Sequence, residues 1–159
     1  MALFDISDVI EVAMRIEENG AAFYRHAARV VPNKEVKAIF TRLADDEIKH
    51  RETFAKFREA VEPVPPPEGY DGEYAAYLHS YVDHALVFKT KDVEARISGI
   101  GDEAAALDFA IQRELDSILY YREIADLLHP DRRTVVEKII AEERGHFRTL
   151  MNLKSHFAE

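Results

Sequence analysis

The sequence predicts an all-α protein, a four-helix bundle built from two helical hairpins. Three observations carry this. Four long segments place apolar residues at the three-and-four spacing of a helix. Within each half of the chain two such segments are separated by only two or three residues, a link short enough to make antiparallel neighbours. Between the halves lie about forty residues with a proline-rich start, too many for a plain loop.

The first helix is expected over about 6–30, capped by Asp5 or Ser7 and ended by Val31-Pro32, because the residue before a proline is pushed out of helical dihedrals. The second covers about 34–61. Asn33 is its N-cap, and Pro63, Pro65, Pro66 and Pro67 stop it. The third covers about 103–129, with Asp102 as cap and His129-Pro130 as its end, and the fourth about 131–156. Each is roughly 37 Å long at 1.5 Å per residue, which suits a bundle. The crossover, 62–101, has an amphipathic piece of its own: Tyr74, Tyr77, Leu78, Tyr81, Val82 and Ala85 predict one short helix docked on the bundle. The expected order is up-down-down-up, and residues 1–159 read as a single domain.

Composition narrows the chemistry. With no cysteine among 159 residues there are no disulfides, thiolate clusters or thiol nucleophiles, so any metal is held by His, Asp and Glu. A net charge of −9 argues against a nucleic-acid partner and for attraction of cations. No apolar run reaches the roughly 20 residues of a membrane span, and the N-terminus has no basic segment of a secretory leader, so the expected location is cytoplasmic.

The two halves repeat each other. Glu17 stands seven residues before Tyr24 in EENGAAFYRHAA, and Glu114 seven before Tyr121 in ELDSILYYREIA. Both tyrosines follow an aromatic residue and precede an arginine. Glu47 follows Glu17 by 30 residues in DDEIKH, and Glu143 follows Glu114 by 29 in EERGH. Each of these later glutamates has a histidine three residues on, His50 and His146, and the chain holds no other E-x-x-H.

Helical phase, about 100° per residue, turns all six inward. Glu17 falls on the stripe Ile10, Ala13, Met14, Gly20, Ala21, Tyr24, Ala28, and Glu114 on Leu107, Ala110, Ile111, Ile118, Tyr121, Ala125. Glu47 and His50 interrupt Val36, Phe40, Leu43, Phe54, Phe57, Val61. Glu143 and His146 interrupt Val136, Ile139, Leu150, Leu153. Four buried carboxylates without partners are very costly. Buried salt bridges are the plain alternative, but no basic residue is expected on these stripes. Two divalent cations balance the four carboxylates, with Glu47-His50 reaching one ion and Glu143-His146 the other. Glu17 and Glu114 add further oxygens, and Tyr24 and Tyr121 are placed to hydrogen-bond a ligand on the opposite pair. His26, His79, His84, His129 and His156 fit no such pattern and are read as surface or terminal residues.

A glutamate from each of two helices plus Glu-x-x-His from the other two is the ferritin-like dimetal-carboxylate pattern. With EENGAAFY, DDEIKH, ELDSILYY and EERGH, the chain resembles the rubrerythrin family over about residues 5–155. The resemblance implies a ferritin-like bundle with metal ligands at Glu17, Glu47, His50, Glu114, Glu143 and His146. It also implies two iron ions, with manganese or a mixed Fe/Mn pair as alternatives. It implies reduction of hydrogen peroxide, with dioxygen as the other small oxidant, an external electron donor such as a rubredoxin-like protein, and a homo-oligomer, of which a dimer is the simplest. Two departures stand out. The four-cysteine rubredoxin domain of typical members has no counterpart in this chain, and Ser117 occupies the place of their additional carboxylate, three residues after Glu114. Two other functions fit the residues: a ferroxidase or iron-storage protein with Fe(II) as substrate, and a non-catalytic, metal-stabilised sensor or interaction bundle.

Overall fold

The computed structural model describes residues 6–60, 72–73, 76–77, 80 and 103–157. Four long helices account for nearly all of these: α1 Ile6–Val30, α2 Lys34–Ala60, α3 Glu103–Leu127 and α4 Pro130–Phe157. Asn33 caps α2 as expected, its Oδ1 accepting from the backbone N–H of Glu35 at 2.8 Å and of Val36 at 3.2 Å. Ser7 lies inside α1 and is not its cap. Helix α3 stops two residues short of the expected end. Pro130 holds His129 out of helical dihedrals and then serves as the first residue of α4, where its missing N–H leaves no bond unmade. The expected caps Asp5 and Asp102 and most of the crossover lie outside the described residues. Within the crossover, Glu73, Ala76, Tyr77 and Ser80 are helical, and the rest of the predicted short helix is likewise outside them.

Two contacts give the directions. Glu103, the first residue of α3, accepts from the backbone N–H of Asn33 at 2.6 Å, so α3 begins at the end where α1 passes into α2. At the other end the Tyr120 hydroxyl donates to the Val9 carbonyl at 2.9 Å. Helices α1 and α3 are therefore antiparallel, α2 and α3 run the same way, and the order is up-down-down-up.

The interior has three levels. One apolar cluster, including Ile10, Ile16, Phe54, Tyr120, Ile124 and Ile139, fills the end near the α3–α4 turn. A second, including Phe23, Val36, Phe40, Leu43, Leu107 and Leu150, fills the end near the α1–α2 turn. Between them lies a buried polar belt: Glu17, Glu47, His50, Arg113, Glu114, Ser117, Glu143 and His146.

The expected stripes of α2 and α4 are buried as read, Val61 being outside the described residues. Those of α1 and α3 are rotated and wider. Ile16, Phe23 and Ala27 on α1, and Ala106, Arg113, Ser117, Tyr120 and Ile124 on α3, are also buried, while Met14, Ala28, Ile111 and Ile118 are only half-buried. These two helices pack on each other as well as on their hairpin partners, so two adjacent columns of residues are covered. This overturns the expectation of a belt without basic residues. Arg113, one position from Glu114, lies in the second column and is 1% exposed. Among the described residues no helix is long and apolar enough to cross a membrane.

Candidate metal centre

The six predicted polar residues converge at mid-bundle. Two overlapping groups form. In one, ligand atoms of Glu17, His50 and Glu143 lie within 4.8 Å of one another; in the other, those of Glu47, Glu114, Glu143 and His146 do. Glu143 belongs to both. Glu47 and His50 do not share a group, contrary to the pairing expected from their spacing on one helix. The neighbouring helices decide the partners: His50 meets Glu143 of α4, with Nδ1 to Oε1 at 2.9 Å, and Glu17 of α1 at 3.6 Å. His146 Nδ1 lies 3.0 Å from Glu143 Oε2 and 3.8 Å from Glu114 Oε2. The two imidazoles stack with centroids 5.6 Å apart.

Each histidine is oriented from outside. His50 Nε2 meets Glu142 Oε2 at 2.9 Å, which holds a proton on Nε2 and turns Nδ1 inward. His146 Nε2 faces Asp46 Oδ2 at 3.6 Å. The arrangement is reciprocal, since the acid preceding each E-x-x-H glutamate faces the histidine of the other motif. In the sequence these two acids read as part of a solvated face. Their position beside Glu47 and Glu143 on the paired motifs was the available signal.

The tyrosines cross between the pairs as expected. The Tyr24 hydroxyl donates to Glu114 Oε1, and the Tyr121 hydroxyl to Glu17 Oε1. Burial, and then the facing carboxylate, push both phenols well above their usual range, so they remain neutral donors. Burial and the nearby Glu143 raise the Glu114 carboxyl to about 7, against the pull of His146 and Arg113. Burial works against the charged form of Glu143 too, but His146 and His50 outweigh it and hold that carboxyl well below the usual range. Burial opposes the imidazolium of His50, yet its contacts with Glu143 and Glu17 hold it up at about 12.

Arg113 was not foreseen as part of the centre. Its guanidinium donates to both oxygens of Glu47, Nη1 to Oε1 at 3.1 Å and Nη2 to Oε2 at 3.2 Å, and to the Ile16 carbonyl at 2.9 Å. Ser117 donates to the carbonyl of Arg113, one turn back on its own helix, at 3.0 Å. His26 is half-buried and remote from both groups, while His129 and His156 are exposed. His79 and His84 lie outside the described residues.

The belt fits a divalent cation. Glu17 Oε2, His50 Nδ1, Glu143 Oε1 and Glu114 Oε2 are all buried without a hydrogen-bond partner. Three of these atoms make up the first group, so two carboxylate oxygens and an imidazole nitrogen face one point. Such groups are costly in a protein interior and are satisfied by an ion.

An up-down-down-up helical bundle with Glu/His groups meeting at mid-height defines the class of ferritin-like diiron-carboxylate proteins. Within it, the family model for Rubrerythrin matches residues 8–154, and the chain belongs to that family. In structure it is similar to a Thermotoga maritima chain assigned to the ferritin-like diiron-carboxylate proteins, with 28% identity, a TM-score of 0.69 and coverage of 98% of this chain and 97% of that one. It is also similar in fold to a dodecameric thioferritin from Bacteroides fragilis, a bacterioferritin-related protein, at 20% identity and TM-score 0.73, covering 96% and 86% of the two chains. A Pyrococcus furiosus protein shares the fold at 18% identity and TM-score 0.65, covering 98% and 91%. No curated protein matches the chain.

Proposed function

We propose that this chain is a diiron oxidoreductase acting on hydrogen peroxide or dioxygen, its ions held by Glu17, Glu47, His50, Glu114, Glu143 and His146. The observation that carries the reading is the convergence of four unpartnered buried ligand atoms on the two groups. Iron would supply the redox chemistry, with manganese the alternative that the same oxygen and imidazole donors accept. Glu143, common to both groups, would serve both ions. Tyr24 and Tyr121 orient Glu114 and Glu17. Glu142 and Asp46 keep the Nε2 protons in place so that both imidazoles present Nδ1. The apolar clusters on either side exclude water along the bundle axis. With no cysteine in the chain, electrons come from a separate donor such as a rubredoxin-like protein. The reading also includes a homo-oligomer, the dodecameric relative being an example of such assembly.

The same relative, a thioferritin, favours a second reading in which Fe(II) is the substrate and passes through the centre. Metal retention separates the two. Protein isolated from its own source is analysed for metal, reduced without air, and mixed with peroxide or dioxygen while bound iron is counted. The oxidoreductase keeps two ions per chain through many turnovers. Loss of iron to a mineral or to buffer after each oxidation supports the ferroxidase, and failure to bind iron refutes both.

A further inference from the structure

The repeat that generates the centre is broken at one place. In the first half the residue before Glu17 is Ile16, and the residue three after it is Gly20; the counterparts in the second half are Arg113 and Ser117. Arg113 and Gly20 meet across the α1–α3 interface. A Cβ on Gly20 would lie 2.0 Å from Arg113 Nη2 and 2.3 Å from Cζ. Glycine is a poor helix former, yet here, mid-helix, it alone leaves room for the guanidinium to lie against the α1 backbone. In that seat Arg113 forks onto both oxygens of Glu47, stands 3.8 Å from Glu114 Oε1, and has its guanidinium carbon 5.5 Å from the Tyr24 ring centroid. Glu47 and Glu114 both belong to the four-residue group. The repeat equivalent of Glu47, Glu143, has no arginine on it and joins both groups.

A guanidinium keeps its charge at any working pH, so it alters the charge balance of the belt. With both imidazoles neutral, as ion binding requires, four ionised carboxylates and Arg113 sum to −3. One divalent ion leaves −1, and a second takes the belt to +1. The second ion is therefore opposed by a cation already seated beside two of its ligands, and it must compete with that cation for Glu47.

Resting on the dimetal reading above, we propose that Arg113 makes the two metal positions unequal. The first ion enters at Glu17, His50 and Glu143, where every ligand atom is free of other partners. The second enters at Glu47, Glu114, Glu143 and His146 and binds at least tenfold more weakly. Arg113 acts as a positioning residue, holding Glu47 out of the first position and setting the order of loading.

The test is anaerobic titration of the whole protein with Co(II), followed by calorimetry and by visible absorption. Two steps of one ion each are expected, with dissociation constants at least tenfold apart. Anomalous diffraction from crystals loaded with one equivalent is expected to place cobalt beside His50. In Arg113→Gln the second step tightens at least tenfold and the two steps merge. Gly20→Ala does the same while leaving the arginine in the sequence. Its new methyl meets the flexible end of a side chain and not backbone, so this variant folds even if loss of the buried cation proves disruptive. Uptake of two ions in one step by the unaltered protein, a first ion beside His146, or an unchanged second step in Gly20→Ala would each overturn the inference and leave the dimetal centre standing. No cobalt binding at all would overturn both.

Discussion

Tyr120 and Tyr121 are adjacent, both fully buried, and differ in what their hydroxyls hold. Tyr121 donates to Glu17, whose second oxygen has no hydrogen-bond partner. Tyr120 donates to the neutral carbonyl of Val9 at 2.9 Å. Phenylalanine keeps the ring and its packing, so each Tyr→Phe change removes one hydrogen bond. Loss of a bond to a charged group costs about 1.5–3 kcal/mol, and loss of a neutral one about 1 kcal/mol. At about 2–4 °C per kcal/mol for a domain of this size, Tyr121→Phe lowers Tm by roughly 3–12 °C and Tyr120→Phe by about 2–4 °C in the presence of chelator. Saturating Mn(II) then separates the pair. An ion holds Glu17 in place of the phenol, so the Tyr121→Phe penalty falls to about half, while that of Tyr120→Phe does not change. Thermal and urea unfolding followed by circular dichroism, with chelator and with metal, reads all four numbers. Equal penalties for the two variants, or a Tyr121→Phe penalty indifferent to metal, would refute the assignment of Glu17 as an ion ligand supported by Tyr121.

Glu143→Ala removes the residue common to both groups and is expected to abolish binding of both ions, whereas Glu18→Ala, on an exposed residue bonded to Arg51 at 2.5 Å, leaves metal content unchanged by elemental analysis. Glu142→Ala frees the outer nitrogen of His50 and weakens metal binding by roughly 10–100-fold in an equilibrium titration. Asp46→Ala acts in the same direction through His146, whose outer nitrogen Asp46 faces. The metal-free chain melts cooperatively on the strength of its two apolar clusters, and metal at a hundredfold its Kd adds about 2.7 kcal/mol; absence of a cooperative melt would make the ions structural. Ser117→Glu restores a carboxylate one turn from Glu114, and the ratio of peroxide to dioxygen rates is expected to rise; an unchanged ratio would show that Ser117 does not limit peroxide chemistry.

The helices and the inward six were legible because helical phase is a local property. Glu47, His50, Glu143 and His146 break otherwise unbroken apolar stripes, and the structure buries all four. The tyrosine crossings were legible for a related reason: seven residues along a helix carry Tyr24 and Tyr121 out of reach of their own glutamates and level with the opposite pair. What escaped depends on neighbours. Whether Arg113 is covered depends on how wide an arc α3 buries, and that is set by α1. The partition of ligands depends on the registry of α2 against α4, which gives His50 to Glu143 and not to Glu47. The supporting roles of Glu142 and Asp46 exist only once those two helices stand side by side.

The shared ownership of the ligands sets an order of events in synthesis. The first group takes Glu17 and His50 from the N-terminal hairpin and Glu143 from the C-terminal one. A ribosome completes the N-terminal hairpin first, and at that moment Glu17, Glu47 and His50 have neither Tyr121, Arg113 nor Glu143 to meet. The inner face of that hairpin stays in water until the C-terminal pair arrives. The C-terminal hairpin, by contrast, brings Glu114, Glu143 and His146 together on its own. Cutting the chain within 62–101 would leave two unequal partners, one carrying three members of a metal group and one carrying the residues that complete both. An ion added to the two fragments would then act as the joint between them.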